Sequence, residues 1–163
     1  MNIFVLDEEP IKAAQMLCDC HLRKMCVETA QILSGVMLRN GMELLKGMPK
    51  PQNINHPVIK AIDTPEKKNW VWLYFFYLLR EFHIRFAKHH KYINLHYWYH
   101  EKLITQLRDE DCTQLAKCTG DLDVADLDIV TAYRKYYKEV KKPQLQAKGL
   151  WKFTSREDWT NEQ

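Results

Sequence analysis

Apolar residues recur at helical spacing through the first third of the chain. Ala14, Cys18, Leu22, Met25, Thr29, Ile32 and Val36 form one stripe when the chain is wound at 100° per residue. Flush against that stripe, His21, Lys24, Glu28 and Gln31 fall within about 80° of one another. A surface helix normally sets mixed charges opposite its core face, not a His/Lys/Glu/Gln row along its edge. The pattern predicts a helix that starts at Asp7 or Glu9, takes Pro10 in its first turn, and runs to about Ser34 or beyond. Residues 2–6 ahead of it read as a short extended arm. Gly35, Gly41 and Gly47 weaken the pattern before the break at Met48-Pro49-Lys50-Pro51.

Residues 49–63 read as a loop with one helical turn, containing Asn55-His56-Pro57. Thr64-Pro65 is a strong helix start, with Thr as N-cap and Pro at the first helical position. The helix from there to about His89 carries Trp70, Trp72, Tyr74, Phe75, Phe76, Tyr77, Phe82 and Phe86 on all sides, so it is expected to be central and mostly enclosed. A third helix is expected over about Asn94–Asp109, a polar connection over 110–122 and a further helix over Asp123–Val140. The aromatic tail from Lys148 to Gln163 includes Trp151 and Trp159. The architecture this predicts is all-α: one domain of four or five helices around the Trp70–Phe86 element, spanning residues 1–163.

Composition agrees. The chain of 163 residues is 46% hydrophobic with few glycines (5) and prolines (6), which favours helices over a strand-rich sandwich. The formal charge of +3 leaves nucleic acid and small anions both open as partners. Basic residues cluster at Lys67-Lys68, around Lys88 and at Lys138 with Lys141-Lys142, while acids gather at 7–9 and 121–128. The five cysteines are an odd number without a Cys-x-x-Cys. Cys18, Cys20 and Cys26, taken as sharing one helix, lack pairing geometry, which implies reduced thiols and a cytoplasmic setting. The N-terminus lacks the basic lead of a signal peptide, and the apolar run Trp70–Leu79 stops short of a membrane span.

Other constellations carry less. His96 and His100 share a helix face, but the intervening Tyr-Trp-Tyr holds no glutamate, so no metal site is expected. Glu81 and Arg85 are spaced for an ion pair and would join His21, Lys24 and Glu28 if their helices packed. Tyr133, Arg134, Tyr136 and Tyr137 interleave aromatic and basic groups, a pattern suited to nucleic acid as well as to a core edge.

At Asp19-x-His21-x6-Glu28 the chain resembles the pyrimidine-dimer DNA glycosylase/AP-lyase family of tailed phages, the endonuclease V type. It is also similar to small phage proteins that share an opening like Met-Asn-Ile-Phe-Val-Leu-Asp, an Asn-His-Pro and a Tyr-Arg-x-Tyr-Tyr. The resemblance implies a small helical enzyme, without cofactor, acting on a damaged or modified base in the cytoplasm of a phage-infected bacterium. It implies catalysis by Glu28 with the α-amine at Met1, and a supporting role for His21. Arg23, Lys24, Gln31, His56, Glu81, Arg85, Lys88 and Arg134 would contact DNA or a nucleotide. Trp70, Tyr74 and Trp151 would receive an extrahelical base, with Tyr133 on a nucleic-acid face beside Arg134. The family has arginines just before its glutamate and three residues after it, where this chain has Val27 and Gln31. The alternative is a phage accessory protein that binds a nucleotide or a host protein without catalysis.

Overall fold

The computed structural model describes residues 1–104 and 109–161. It is all-helical, and among the described residues there is no strand. The elements are α1 (Pro10–Gln15), α2 (Asp19–Arg39), α3 (Pro57–Ala61), α4 (Pro65–Phe86), α5 (Leu95–Leu103) and α6 (Ile129–Tyr136). A π-helical turn (Tyr137–Lys141) joins α6 to α7 (Lys142–Gln146). The part of the expected third helix at 105–108, and the tail beyond 161, lie outside the described residues.

The central helix is the aromatic one. Thr64 caps α4 by accepting from the Lys67 N–H at 3.3 Å, with Pro65 at the first position. Ala87, in the left-handed region at φ 51°, ends it. α4 packs against α1, α2 and α5, and Trp70, Tyr74, Phe75 and Leu78 are wholly enclosed. All seven residues of the apolar stripe are buried.

The expected first helix is two helices. Between α1 and α2 the chain straightens: Cys18 is the N-cap of α2, extended at φ −68° and ψ 160°. A break of this kind frees carbonyls and amides that must find partners when buried. They find them far away in sequence. The Arg85 guanidinium donates to the carbonyls of Leu17 (2.6 Å) and Gln15 (2.7 Å), and the Trp159 indole to that of Met16 (2.8 Å). The Cys18 N–H donates to the Tyr137 hydroxyl at 2.9 Å, and the Asp19 N–H to the Lys152 carbonyl at 2.8 Å.

Past Ser34, α2 continues through Gly35. A Cβ on Gly35 would stand 2.5 Å from the Ile59 Cδ1, so the bare backbone is what lets α3 approach. The helix expected from Asp123 begins instead at Ile129, where Asp128 accepts from the Thr131 N–H at 2.9 Å. Pro143 has no N–H to give to Glu139, and the π turn shifts the pairing, with the Lys142 N–H reaching Tyr137.

Residues 3–6 form the extended arm, and they are buried. Without a sheet, carbonyls of the arm and of Glu8 just beyond it are held by side chains. Trp70 Nε1 donates to the Glu8 carbonyl (2.6 Å), Arg134 Nε to that of Leu6 (2.6 Å), and the Tyr74 hydroxyl to that of Phe4 (3.5 Å). The Phe4 ring packs among His21, Tyr133, Tyr136 and Tyr137.

Candidate active site

The captive arm brings the start of the chain against the side of α2. The Met1 α-amine stands 3.9 Å from Glu28 Oε1, and the Asn2 N–H donates to Glu28 Oε2 at 3.2 Å. Lys24 Nζ lies 3.5 Å from Oε1, one turn earlier on the same helix. The Glu28 side chain is 16% exposed, so the carboxylate is sheltered yet reachable. Lys24 is half in water, where an ion pair contributes little to stability.

Asn2 sets the position of the amine. Its Oδ1 accepts from the Tyr133 hydroxyl (2.7 Å) and from the Ile3 N–H (2.8 Å), and its Nδ2 donates to the Cys118 carbonyl (2.9 Å). Tyr133 is itself pinned between the Cys118 N–H and the Ala116 carbonyl. Neither Asn2 nor Cys118 stood out in the sequence. Both act through contacts more than 100 residues apart, and a lone Asn in an apolar arm carries no periodic signal.

His56 faces the same place. Its Nδ1 caps α3 by accepting from the Val58 N–H at 3.3 Å, which leaves the ring proton on Nε2 in the neutral form. Burial and the nearby Met1 amine hold this imidazole below its ordinary proton affinity, against the pull of Glu28. Tyr74 underlies the site, its hydroxyl pushed well above the usual range by burial, with Glu28 adding to the effect.

The three residues of the Asp19-x-His21-x6-Glu28 motif part company. Asp19 accepts from the Thr154 N–H (3.0 Å) and hydroxyl (2.6 Å) and from Arg85 (3.1 Å). His21 is buried beside Phe4, its Nδ1 2.9 Å from the Tyr137 hydroxyl. It lies about 10 Å from Glu28 along the helix axis, two turns away. Glu81 and Arg85 do not join Glu28. They form a buried network with Asp19 and Arg156, in which Arg156 grips both Glu81 oxygens at 2.8 Å. Burial raises the Glu81 carboxyl, but hydrogen bonds from Arg156 and Arg85 outweigh it and hold the group below the usual range.

The expected aromatic receptor is dispersed. Trp70 and Tyr74 stack on each other at 5.1 Å inside the core, Tyr133 is enclosed, and Trp151 packs on Tyr137 at 5.3 Å. Arg134 is committed to Leu6 and Asp7. Arg23 lies over the Phe86 ring at 4.2 Å, Gln31 is half-buried on α2, and Lys88 is exposed just beyond α4. Among the described residues, no group of three His, Cys, Asp or Glu side chains is placed to hold a metal ion, and no helix is long and apolar enough to cross a membrane.

Comparison with family models, curated proteins and solved structures finds no match to this chain.

Proposed function

We propose that the protein is a DNA base-processing enzyme of glycosylase/AP-lyase type, with the α-amine at residue 1 as nucleophile and Glu28 as its proton-handling partner. One observation carries the reading: an α-amine and a sheltered carboxylate stand 3.9 Å apart, each held by a separate element. An α-amine is nucleophilic once it has given up its proton, and Glu28 is the acceptor beside it. The amine attacks the sugar C1′, the base departs with a proton, and the ring-opened sugar is held as an imine. Loss of the C2′ proton then expels the 3′ phosphate and cuts the strand. Glu28 takes the proton that the amine sheds and stabilises positive charge developing on the sugar, roles that its 3.9 Å approach to the amine supports. Lys24 would meet a backbone phosphate beside it.

The test is reductive trapping. Borohydride should join the protein covalently to ultraviolet-damaged or abasic duplex, and Glu28→Gln should lose at least about a hundredfold in adduct yield. Absence of any adduct or nick on both duplexes overturns the lyase reading. Thermal stabilisation by a mononucleotide without an adduct would favour the non-catalytic binder instead.

A further inference from the structure

We propose that Cys18 and Cys20 are a redox pair that closes to an intramolecular disulfide on exposure to a small-molecule disulfide. The two Sγ atoms stand 3.5 Å apart. The contact exists because α2 does not include Cys18. As an extended N-cap, Cys18 turns its side chain toward the first turn, where Cys20 sits. Two cysteines two positions apart within a regular helix would point about 200° apart.

The Tyr137 oxygen accepts from the Cys18 N–H (2.9 Å) and lies 2.9 Å from His21 Nδ1, while its hydroxyl proton is directed to Cys18 Sγ at 3.3 Å. Cys18 Sγ is therefore offered a proton by Tyr137, and in its contact with Cys20 either sulfur can donate. The hydrogen bond from Cys20, with His21 and Tyr137 assisting, draws the Cys18 thiol well below its usual range against burial. The same bond raises Cys20. On losing one proton, the pair favours the thiolate on Cys18 over that on Cys20.

Access is divided between them. Cys18 is wholly buried, and Cys20 is partly exposed. The exposed sulfur meets the reagent. Cys20, as the thiolate when the shared proton sits on Cys18, attacks oxidised glutathione, forming a mixed disulfide and releasing one glutathione thiolate. Cys18 then gives up its proton, attacks the Cys20 sulfur and releases the second. In sum, two protein thiols and one glutathione disulfide become one protein disulfide and two glutathiones. The sulfurs must approach by about 1.5 Å to reach bonding distance. Cys26 and Cys112 are poor competitors because both are buried away from the reagent.

The experiment treats the folded full chain with oxidised glutathione, quenches with acid, alkylates and maps peptides by mass. The expected product is a peptide carrying Cys18 and Cys20, two hydrogens lighter and restored by dithiothreitol, with Cys26 and Cys112 alkylated. In Cys18→Ser the second step is lost, so Cys20 should instead accumulate as a stable glutathione adduct. Two results overturn the proposal: wild-type Cys20 held as the adduct while Cys18 remains alkylatable, or both thiols untouched in folded protein that forms the bond once unfolded. Neither depends on the DNA reading.

Discussion

At the scale of single residues, the core of α2 contains one polar group that nothing answers. Thr29 is fully buried in the apolar stripe, and its hydroxyl has no hydrogen-bond partner among the described residues. An unpaired buried hydroxyl costs about 1–3 kcal/mol of desolvation. Valine keeps the branched shape and removes that cost, at similar helix propensity. Thr29→Val should therefore raise the urea midpoint by the equivalent of about 1 kcal/mol with an unchanged slope. A lower midpoint would mean that the hydroxyl has an undescribed partner. The opposite case is Asn2, whose side-chain oxygen, side-chain nitrogen and backbone N–H all have partners, so that a short polar side chain fixes where the amine stands.

Among the elements, the junction of α1 and α2 depends on Arg85. Its side chain is wholly enclosed, and it holds two freed carbonyls and two carboxylates. Removing one member of a buried ion pair costs about 3–5 kcal/mol because the rest stays buried. Arg85→Met should lose that much in denaturant unfolding, with amide exchange accelerated first in α1 and the start of α2. Glu81 gives the junction a pH signature. Its folded carboxyl binds protons less tightly than the ordinary unfolded value of about 4.3. The stabilisation is thus complete above that value and disappears as pH falls through the lower folded one. Wild type should lose stability between about pH 5 and pH 3 more steeply than Glu81→Gln; parallel curves would show that the network does not titrate with the fold. This junction is also where sequence reading stopped short. The Thr64-Pro65 start of α4 and the buried stripe of α2 were legible because caps and periodicity are local. The break at Cys18 was not, since its partners are distant in sequence: Arg85 from α4, and Tyr137, Lys152 and Trp159 from the last third of the chain. The expectation that Cys18 and Cys20 share one helix without pairing geometry failed for the same reason, since Cys18 stands outside α2 with its sulfur 3.5 Å from that of Cys20.

Across the whole molecule, one apolar core extends from the arm through α2 and α4 to α6 and the tail. The candidate site lies where the arm emerges from it. The polar row on α2 marked Glu28 from sequence, but the meaning of the row depended on the arm, which buries His21 under Phe4 and leaves Glu28 to the amine. The site is therefore a property of the threading: residues 3–8 are locked by Trp70, Tyr74 and Arg134, and the amine has one place to stand. This separates position from stability. An uncleaved Gly-Ser placed ahead of Met1 removes none of the arm's buried contacts or the bonds of Asn2, so the melting temperature should stay within about 2 °C. It replaces the amine beside Glu28 with a neutral amide and carries the new amine several ångströms away. Because misplacing a reacting group by about 1 Å can cost a hundredfold, borohydride trapping on abasic duplex should fall by at least about that factor. Undiminished trapping by the extended protein would place the nucleophile on a lysine side chain, and the contact between Met1 and Glu28 would then serve only to hold the arm.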